Sequence, residues 1–355
     1  MNKRNNIKNY DIEELENYLT SKNFDKFRAA QIFNGIYSEK FENFNKITTL
    51  PLQLKNHLTE NFSIWSLKTK KVRESSDGSI KYLFELFDGK SVEAVYMPWY
   101  DETDGEIERV TLCISSMAGC PVECAFCATG TMGFQRNLET SEIIDQILFV
   151  EKDLGKKITN IVFMGMGEPL LNFTNVVRTI SILTHPANKL LTRKKITLST
   201  VGITAKIKHL ASTKNPVKLA ISLHATTNGF REKIIPMAKG VRLNELMDVV
   251  EFYYRKTKMP ITYEYIPFES MNDTDEDAVR LARILKRVPS RVNIIPFNDI
   301  SFTGVSGFAA SLKPTKMERV LEFGALVRRN GGAVTIRDTF GTDIEAACGQ
   351  LALAE

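Results

Sequence analysis

Residues 120 to 130 read CPVECAFCATG and place Cys120, Cys124 and Cys127 inside eight residues, spaced C-x3-C-x2-C. Cys113 and Cys348 bring the total to five cysteines. Thiolates crowded onto one short loop suit a soft metal, either zinc or an iron–sulfur cluster. A closed structural zinc site takes four protein ligands, and this loop supplies three. His185, His209 and His224 are candidates for a fourth, but nothing in their spacing marks them for it. A 4Fe-4S cluster on three cysteines instead leaves one iron open to another molecule. Read from spacing alone, zinc and plain burial of small apolar thiols stay open as alternatives. An odd number of cysteines, without the spacing of a secreted disulfide framework, fits a reducing compartment.

The elements that must position this loop show as a strand–helix rhythm from about residue 109. RVTLCIS, ITNIVFMG, KKITLST, VKLAISLHA, ITYEYIPF, RVNIIPFN and AVTIR are strand-like. Amphipathic stretches such as SEIIDQILFVEKDL, LNELMDVVEFYYRK and DEDAVRLARILKR separate them. Alternation of that kind predicts an α/β protein with a parallel sheet covered by helices. Six or seven such units suffice for a barrel or partial barrel, whose chemistry sits at the C-terminal ends of the strands. GMGEP (165–169), Ser199, SLH (222–224) and Asn298 all fall at such ends. Upstream, residues 10 to 63 carry helical periodicity, with Pro51 near a helix start. IKYLFELFDGKSVEAVYMP (80–98) reads as a β-hairpin turning at Asp88-Gly89, and the acidic stretch 100–108 as a loop. The expected division is a helical accessory domain over 1–70, a hairpin linker over 71–105 and a barrel over 106–351.

With 355 residues, 43% apolar and 25% charged, the chain has the composition of a soluble globular protein. No run approaches a membrane span, and the polar start lacks the apolar core of a secretory signal, so cytoplasm is the expectation. A net charge of +5 permits a polyanionic partner without demanding one. The basic runs KTKKVR (68–73), TRKK (192–195) and LVRRN (326–330) read as solvated faces.

The cysteine spacing, placed just after the first strand of a βα repeat with Phe126 between the last two cysteines, resembles the radical S-adenosylmethionine superfamily. CAFCATGTMGFQRNL, VFMGMGEPLLN, ITLSTVGI, LAISLHA, VNIIPFN and DIEAACGQL resemble, in order, the motifs of the RlmN/Cfr family of RNA adenine methyltransferases. GFQRNL, IPFND and AACGQL are more similar to RlmN, which methylates adenine C2, than to Cfr, which targets mainly C8. The resemblance implies a radical S-adenosylmethionine (β/α)6-type partial barrel with a small helical N-terminal domain. It implies one 4Fe-4S cluster on Cys120, Cys124 and Cys127, and two S-adenosylmethionine molecules per turnover, one as methyl donor and one as radical source. Cys348 matches the methyl carrier. Cys113 matches the thiol that resolves the protein–RNA adduct by forming a disulfide with Cys348, and Glu93 the proton acceptor. Gly167 and Glu168 match contacts to the methionine amino group, and Ser199, Ser222, Leu223, His224 and Asn298 further cofactor contacts. Adenine C2 is an electron-poor amidine carbon that cannot displace a methyl group by itself, which is why a radical route is needed.

Local pattern alone also permits plainer roles. Cys113 reads as a buried strand residue, Cys348 as small core packing beside two alanines, and Glu93 as an outward carboxylate on an alternating strand. His224 reads as a satisfied core histidine. By resemblance the substrates are an adenosine of 23S rRNA in the peptidyl-transferase region and the adenosine at tRNA position 37. A flavodoxin-type electron donor, no membrane and a monomeric state complete the expectation. The competing functions are Cfr-like C8 methylation, a non-catalytic RNA-binding protein stabilised by zinc, and a radical enzyme that activates another protein.

Overall fold

The computed structural model describes residues 5–353 apart from 102, 104 and 189. At the N-terminus, β1 (Asn5–Asn6) pairs in parallel with β2 (Phe62–Ser63) and closes a three-helix body. The first helix, α1 (Ile12–Ser21), begins where Asp11 accepts from the Glu14 N–H at 2.9 Å and Glu14 accepts from the Asp11 N–H at 3.0 Å. That reciprocal capping satisfies two otherwise unpaired backbone donors. It is followed by α2 (Arg28–Phe33), which runs on through a wider π-type turn, Asn34–Ser38, and by α3 (Leu52–Asn61), which starts directly after Pro51. Leu15, Leu19, Ile32, Phe33, Leu54 and Leu58 form the apolar centre of this body. The same cluster takes in Ile144, Leu148 and Ile182 from the segment that follows, so the helices are packed onto it rather than tethered beside it.

Three antiparallel strands come next: β3 (Leu67–Glu74), β4 (Ile80–Leu86) and β5 (Ser91–Tyr100), with the expected tight turn after Leu86 and Gly89 at φ 80°. The following strand, β6 (Ile107–Cys113), pairs antiparallel to β5 and opens the α/β part. A small hairpin of β7 (Met117–Gly119) and β8 (Phe134–Asn137) brackets the one-turn α4 (Ala128–Thr131), and α5 (Thr140–Leu154) completes the first unit. The remaining units are β9 (Asn160–Phe163) with α6 (Phe173–Leu183), and β10 (Ile196–Thr200) with α7 (Thr204–Ala211). Then come β11 (Lys218–Ser222) with α8 (Asn228–Ile234) and α9 (Leu243–Thr257), and β12 (Ile261–Tyr265) with α10 (Asp275–Leu285). Last are β13 (Ser290–Ile294) with the short α11 (Gly307–Ala310) and α12 (Met317–Arg329), and β14 (Val334–Ile336).

The sheet order is β14-β13-β12-β11-β10-β9-β6-β5-β4-β3, and its seven strands from β14 to β6 are parallel. Six β/α units plus β14 therefore make a partial barrel, extended at one side by β5, β4 and β3. The face of β12 that packs into the core is apolar, with Ile261, Tyr263 and Tyr265 all fully buried. Among the described residues no ladder joins the edges β14 and β3. Side chains bridge that gap instead. Ser75 donates to Asp343 at 2.6 Å, Asp77 accepts from the Gly341 N–H at 2.7 Å, and Arg73 pairs with Glu345 at 2.6 Å.

Several short elements were not legible in the sequence, among them β3, β7 and α8. The run KTKKVR forms the edge strand β3, where exposed Lys68, Lys70 and Lys71 deter pairing with another chain. The strand β7 is too short for a periodicity to show, and α8 hides a buried arginine among polar residues. The acidic stretch 100–108 includes two residues outside the described ones; Tyr100 ends β5 and Ile107 begins β6.

Candidate active site

The cysteine loop leaves β7 at Gly119, whose φ is 70° and where an added Cβ would lie 1.9 Å from the Gly133 carbonyl oxygen. Only glycine fits that crossing. Beyond it the loop curls on itself: the Cys120 N–H donates to the Gly133 carbonyl at 3.0 Å, Cys127 to that of Cys124 at 3.1 Å, and Gly130 to that of Cys127 at 2.9 Å. Phe126 turns inward, with its ring 4.7 Å from that of His224 and 6.1 Å from that of Phe268. This anchor leaves Cys120, Cys124 and Cys127 along the wall of one cleft.

Three cysteines on the wall of one cleft fit a 4Fe-4S cluster that leaves one iron open. Tetrahedral zinc needs sulfurs about 3.8 Å apart, given a Zn–S bond of about 2.3 Å. Among the described residues, no three Cys, His, Asp or Glu side chains converge closely enough to hold a single metal ion. The distant histidines are engaged elsewhere: His185 packs edge-on to Phe33, and His209 stacks on Phe173 at 4.5 Å. Burial pushes the Cys120 thiol up to about 12 and raises Cys124 and Cys127 above the ordinary thiol value. Loading a cluster must therefore displace protons, the cluster's positive iron offsetting the desolvation that opposes thiolate.

The same cleft, about 830 Å³ counted out to its mouth, is lined by strand ends from β9 to β13. Glu168 is buried, and its two carboxylate oxygens accept the Leu170 N–H at 3.0 Å and the Val201 N–H at 2.9 Å. Burial outweighs those bonds and pushes its carboxyl up to about 7. Gly167 has a φ of 100°, and a Cβ there would meet Met117 at 2.6 Å, so its glycine serves packing within the protein. Ser199 and Ser222 face each other with 3.3 Å between hydroxyl oxygens. His224 accepts the Ile266 N–H on Nδ1 at 3.2 Å, which leaves Nε2 to carry the proton. Burial, with Arg231 near by, depresses its pKa to about 3, so the ring is neutral.

Two of the residues expected to contact the cofactor, Leu223 and Asn298, are not among those lining this cleft. Leu223, the residue after β11, is wholly buried in the barrel core, while Ser222 and His224 line the cleft. Asn298 lines a second, adjoining cavity and donates to the Cys348 carbonyl at 3.1 Å, so it holds the C-terminal loop.

That second cavity joins the two remaining cysteines. Cys113, Cys348, Val95, Met97, Arg337 and Phe340 are among its walls, and Cys348 also lines the first cleft. The Cys348 loop is held on the cluster side, where the Ala128 N–H donates to the Gly349 carbonyl at 2.6 Å and the Thr129 hydroxyl to that of Leu351. Burial raises the Cys113 thiol, the Cys348 thiol is also raised although its residue is exposed at the cavity mouth, and Arg337 pulls each back down. The disulfide expected between them is not present: all five cysteines are free, with Cys348 moored to α4 and Asn298 rather than to β6. Glu93 is not the outward carboxylate that local alternation allows. It lies 1% exposed on the face of β5 that carries Val95 and Met97, accepts the Leu353 N–H at 3.2 Å and faces Lys81 at 3.4 Å. Burial raises its pKa against the pull of Lys81.

Four polar residues at the site escaped the sequence reading. Arg231 of α8 donates to the carbonyls of Val201 and Ser222 and ties two strand ends together. Lys81 and Arg337 surround the Cys348 loop, and Glu264 lines the cleft. Only Glu264 left a signal, as an acid inside the otherwise apolar strand ITYEYIPF.

Comparison with known proteins agrees with this geometry. Residues 114–282 match the Radical SAM superfamily, and residues 5–64 match the Ribosomal RNA large subunit methyltransferase N-terminal domain. The chain is 43% identical to a probable dual-specificity RNA methyltransferase RlmN of Thermotoga maritima, over 98% of this chain and 97% of that protein. It is 42% identical to a protein of that name from Thermus thermophilus, over 92% and 89% of the two chains. A crystal structure of a radical SAM methyltransferase from Sphaerobacter thermophilus superposes with a TM-score of 0.88 at 34% identity, covering 98% of this chain and 99% of that one. With nearly its whole length aligned to these relatives, the chain belongs to the RlmN family of the radical S-adenosylmethionine superfamily.

Proposed function

We propose that this protein is a radical S-adenosylmethionine RNA methyltransferase that methylates C2 of an adenosine in 23S rRNA, in the peptidyl-transferase region, and of the adenosine at position 37 of tRNAs. The observation that carries the reading is the placement of Cys348 on the wall shared by two cavities. One holds Cys120, Cys124, Cys127 and Glu168, and the other holds Cys113. When bound, a 4Fe-4S cluster on the three loop cysteines and S-adenosylmethionine supply a methyl cation equivalent in one half of the cycle and a hydrogen-abstracting radical in the other.

The chain's own residues do the rest. Cys348, as thiolate, displaces the methyl group onto its sulfur and gives S-methylcysteine, with Arg337 near by to favour the anion. After hydrogen abstraction from that methyl, the Cys348 methylene carbon bonds to the adenine. Glu93 accepts the proton released from C2 as the adduct breaks down, a task suited to a buried carboxylate whose pKa is raised. Cys113, as thiolate, attacks the Cys348 sulfur and breaks its bond to the methylene carbon, which takes up a proton to become the methyl group, while the adduct's unpaired electron would return to the bound cluster that supplied it. The two sulfurs are then joined to each other until a flavodoxin-type donor returns two electrons. An rRNA and tRNA substrate places the reaction in the cytoplasm. Among the described residues no helix is long and apolar enough to cross a membrane.

The test is anaerobic incubation of cluster-loaded protein with protein-free RNA, followed by nucleoside mass spectrometry. The expected product is 2-methyladenosine, and a Cys113→Ala variant should retain RNA covalently. Formation of 8-methyladenosine would make the chemistry Cfr-like. No methylation, with one zinc and no iron per chain, would leave an RNA-binding protein.

A further inference from the structure

Glu264 is the least satisfied polar group in the cofactor cleft. It sits at the C-terminal end of β12, 3% exposed, and lines the cleft beside Ser222, His224, Ile266 and Cys348. One carboxylate oxygen, Oε1, accepts from Asn293 Nδ2 at 3.0 Å, while the buried Oε2 has no partner. Among the described residues no Lys, Arg or His forms an ion pair with this carboxylate, although Arg337 acts on it from a distance. Glu168 differs, since both of its oxygens are taken by backbone N–H groups. A buried carboxylate oxygen left without a donor is costly, so a ligand that brings one is strongly favoured there.

Position in the sheet selects the end of the ligand that Glu264 meets. The strand order β9-β10-β11-β12 puts three interstrand steps between the strand preceding Glu168 and that of Glu264. At about 4.8 Å per step this is roughly 14 Å around the sheet. Ser222, Glu264 and Asn293 are in register on β11, β12 and β13, making a polar row remote from the Glu168 end. With the methionine amino group at Glu168, a ligand spanning the cleft presents its nucleoside at this row.

We propose that Glu264 is a further S-adenosylmethionine-binding residue, its free Oε2 accepting a hydroxyl of the nucleoside moiety. The inference rests on the functional reading above. Glu264→Gln is the informative change. Asn293 continues to donate to the side-chain oxygen, so the new amide NH₂ faces the cleft and meets a donor with a donor.

Affinities of cluster-reconstituted wild-type and Glu264→Gln protein for S-adenosylmethionine, 5′-deoxyadenosine and methionine are measured anaerobically by calorimetry. The variant should bind the first two at least about tenfold more weakly and methionine equally well. Its melting temperature without ligand should be unchanged or higher, because a neutral amide replaces a buried, incompletely paired carboxylate. Unaltered affinity for the two nucleosides, an equal loss for methionine, or a lower melting temperature that accounts for the binding loss would each overturn the assignment. Wild-type protein that binds no S-adenosylmethionine would sink the functional reading itself, and this inference with it.

Discussion

At the level of single residues, the site is a set of ionisable groups held away from their ordinary charge states by burial. Glu168 and His224 show how two such groups oppose each other. The Glu168 carboxyl is pushed up from 4.5 to about 7. Between those values the folded chain keeps a proton that the unfolded chain has lost, so this group's contribution to stability falls as pH rises through that window. His224 is depressed from 6.5 to about 3. In that window the unfolded chain holds the extra proton, and stability rises with pH. The net slope of the wild type hides both effects, and a Glu168→Gln variant separates them. Relative to the variant, wild-type protein without cofactors should gain on the order of 2 kcal/mol between pH 7.5 and pH 5, from urea unfolding. A parallel pH dependence of the two proteins would mean that the Glu168 carboxyl is not raised.

At the level of elements, the Cys348 loop is notable for being held from two sides. Its beginning is bonded to the β3–β4 turn through Ser75, Asp77 and Arg73, and its end to α4 through Ala128 and Thr129. Lys81 adds a bond from β4 to the Glu345 carbonyl at 3.1 Å while facing Glu93. The polar bonds at the start of this loop are exposed enough to break without unfolding the barrel. Asp77→Ala removes the acceptor for the Gly341 N–H and should speed iodoacetamide alkylation of Cys348 several-fold, read by peptide mass spectrometry. Alkylation of the buried Cys113 should stay slow. Equal rates at Cys348 in variant and wild type would show that the turn does not restrain the loop.

At the level of the whole molecule, the N-terminal helices and the barrel share one buried ion pair. Lys8 pairs with Asp145 of α5 and lies 4.5 Å from the centre of the Trp65 ring, while Asp145 also accepts from the Ser66 N–H at 2.7 Å and its hydroxyl at 2.6 Å. Desolvation lowers the Lys8 pKa, and Asp145 opposes that. Lys8→Ala leaves a buried carboxylate with neutral donors only and should cost about 3–5 kcal/mol in urea unfolding. A loss below about 1 kcal/mol would show that water reaches the pair. The pair belongs to the packing of the N-terminal helices and lines neither cavity, so the same variant should leave the nucleoside product unchanged.

Much of this protein was determined by order along the chain. The spacing of Cys120, Cys124 and Cys127 is local, and seven apolar strands alternating with amphipathic helices permit little other than a parallel sheet with its reactive residues at one rim. The three-helix start and the hairpin turn at Asp88-Gly89 were legible because capping and turn chemistry act over a few residues. What only the tertiary structure decided are pairings across hundreds of positions. Cys113 and Cys348 meet at one cavity although 235 residues separate them. Glu93 points inward because the barrel and the C-terminal segment cover its face of β5, which no local alternation reveals. The motifs that contain Leu223 and Asn298 are local, but the burial of the one in the core and the bond of the other to the Cys348 carbonyl are tertiary outcomes. Glu264 acquired an unmet oxygen only once neighbouring strands had excluded water from it. A spacing can name the residue types, but desolvation and the partners that answer it exist only after the chain has closed around them.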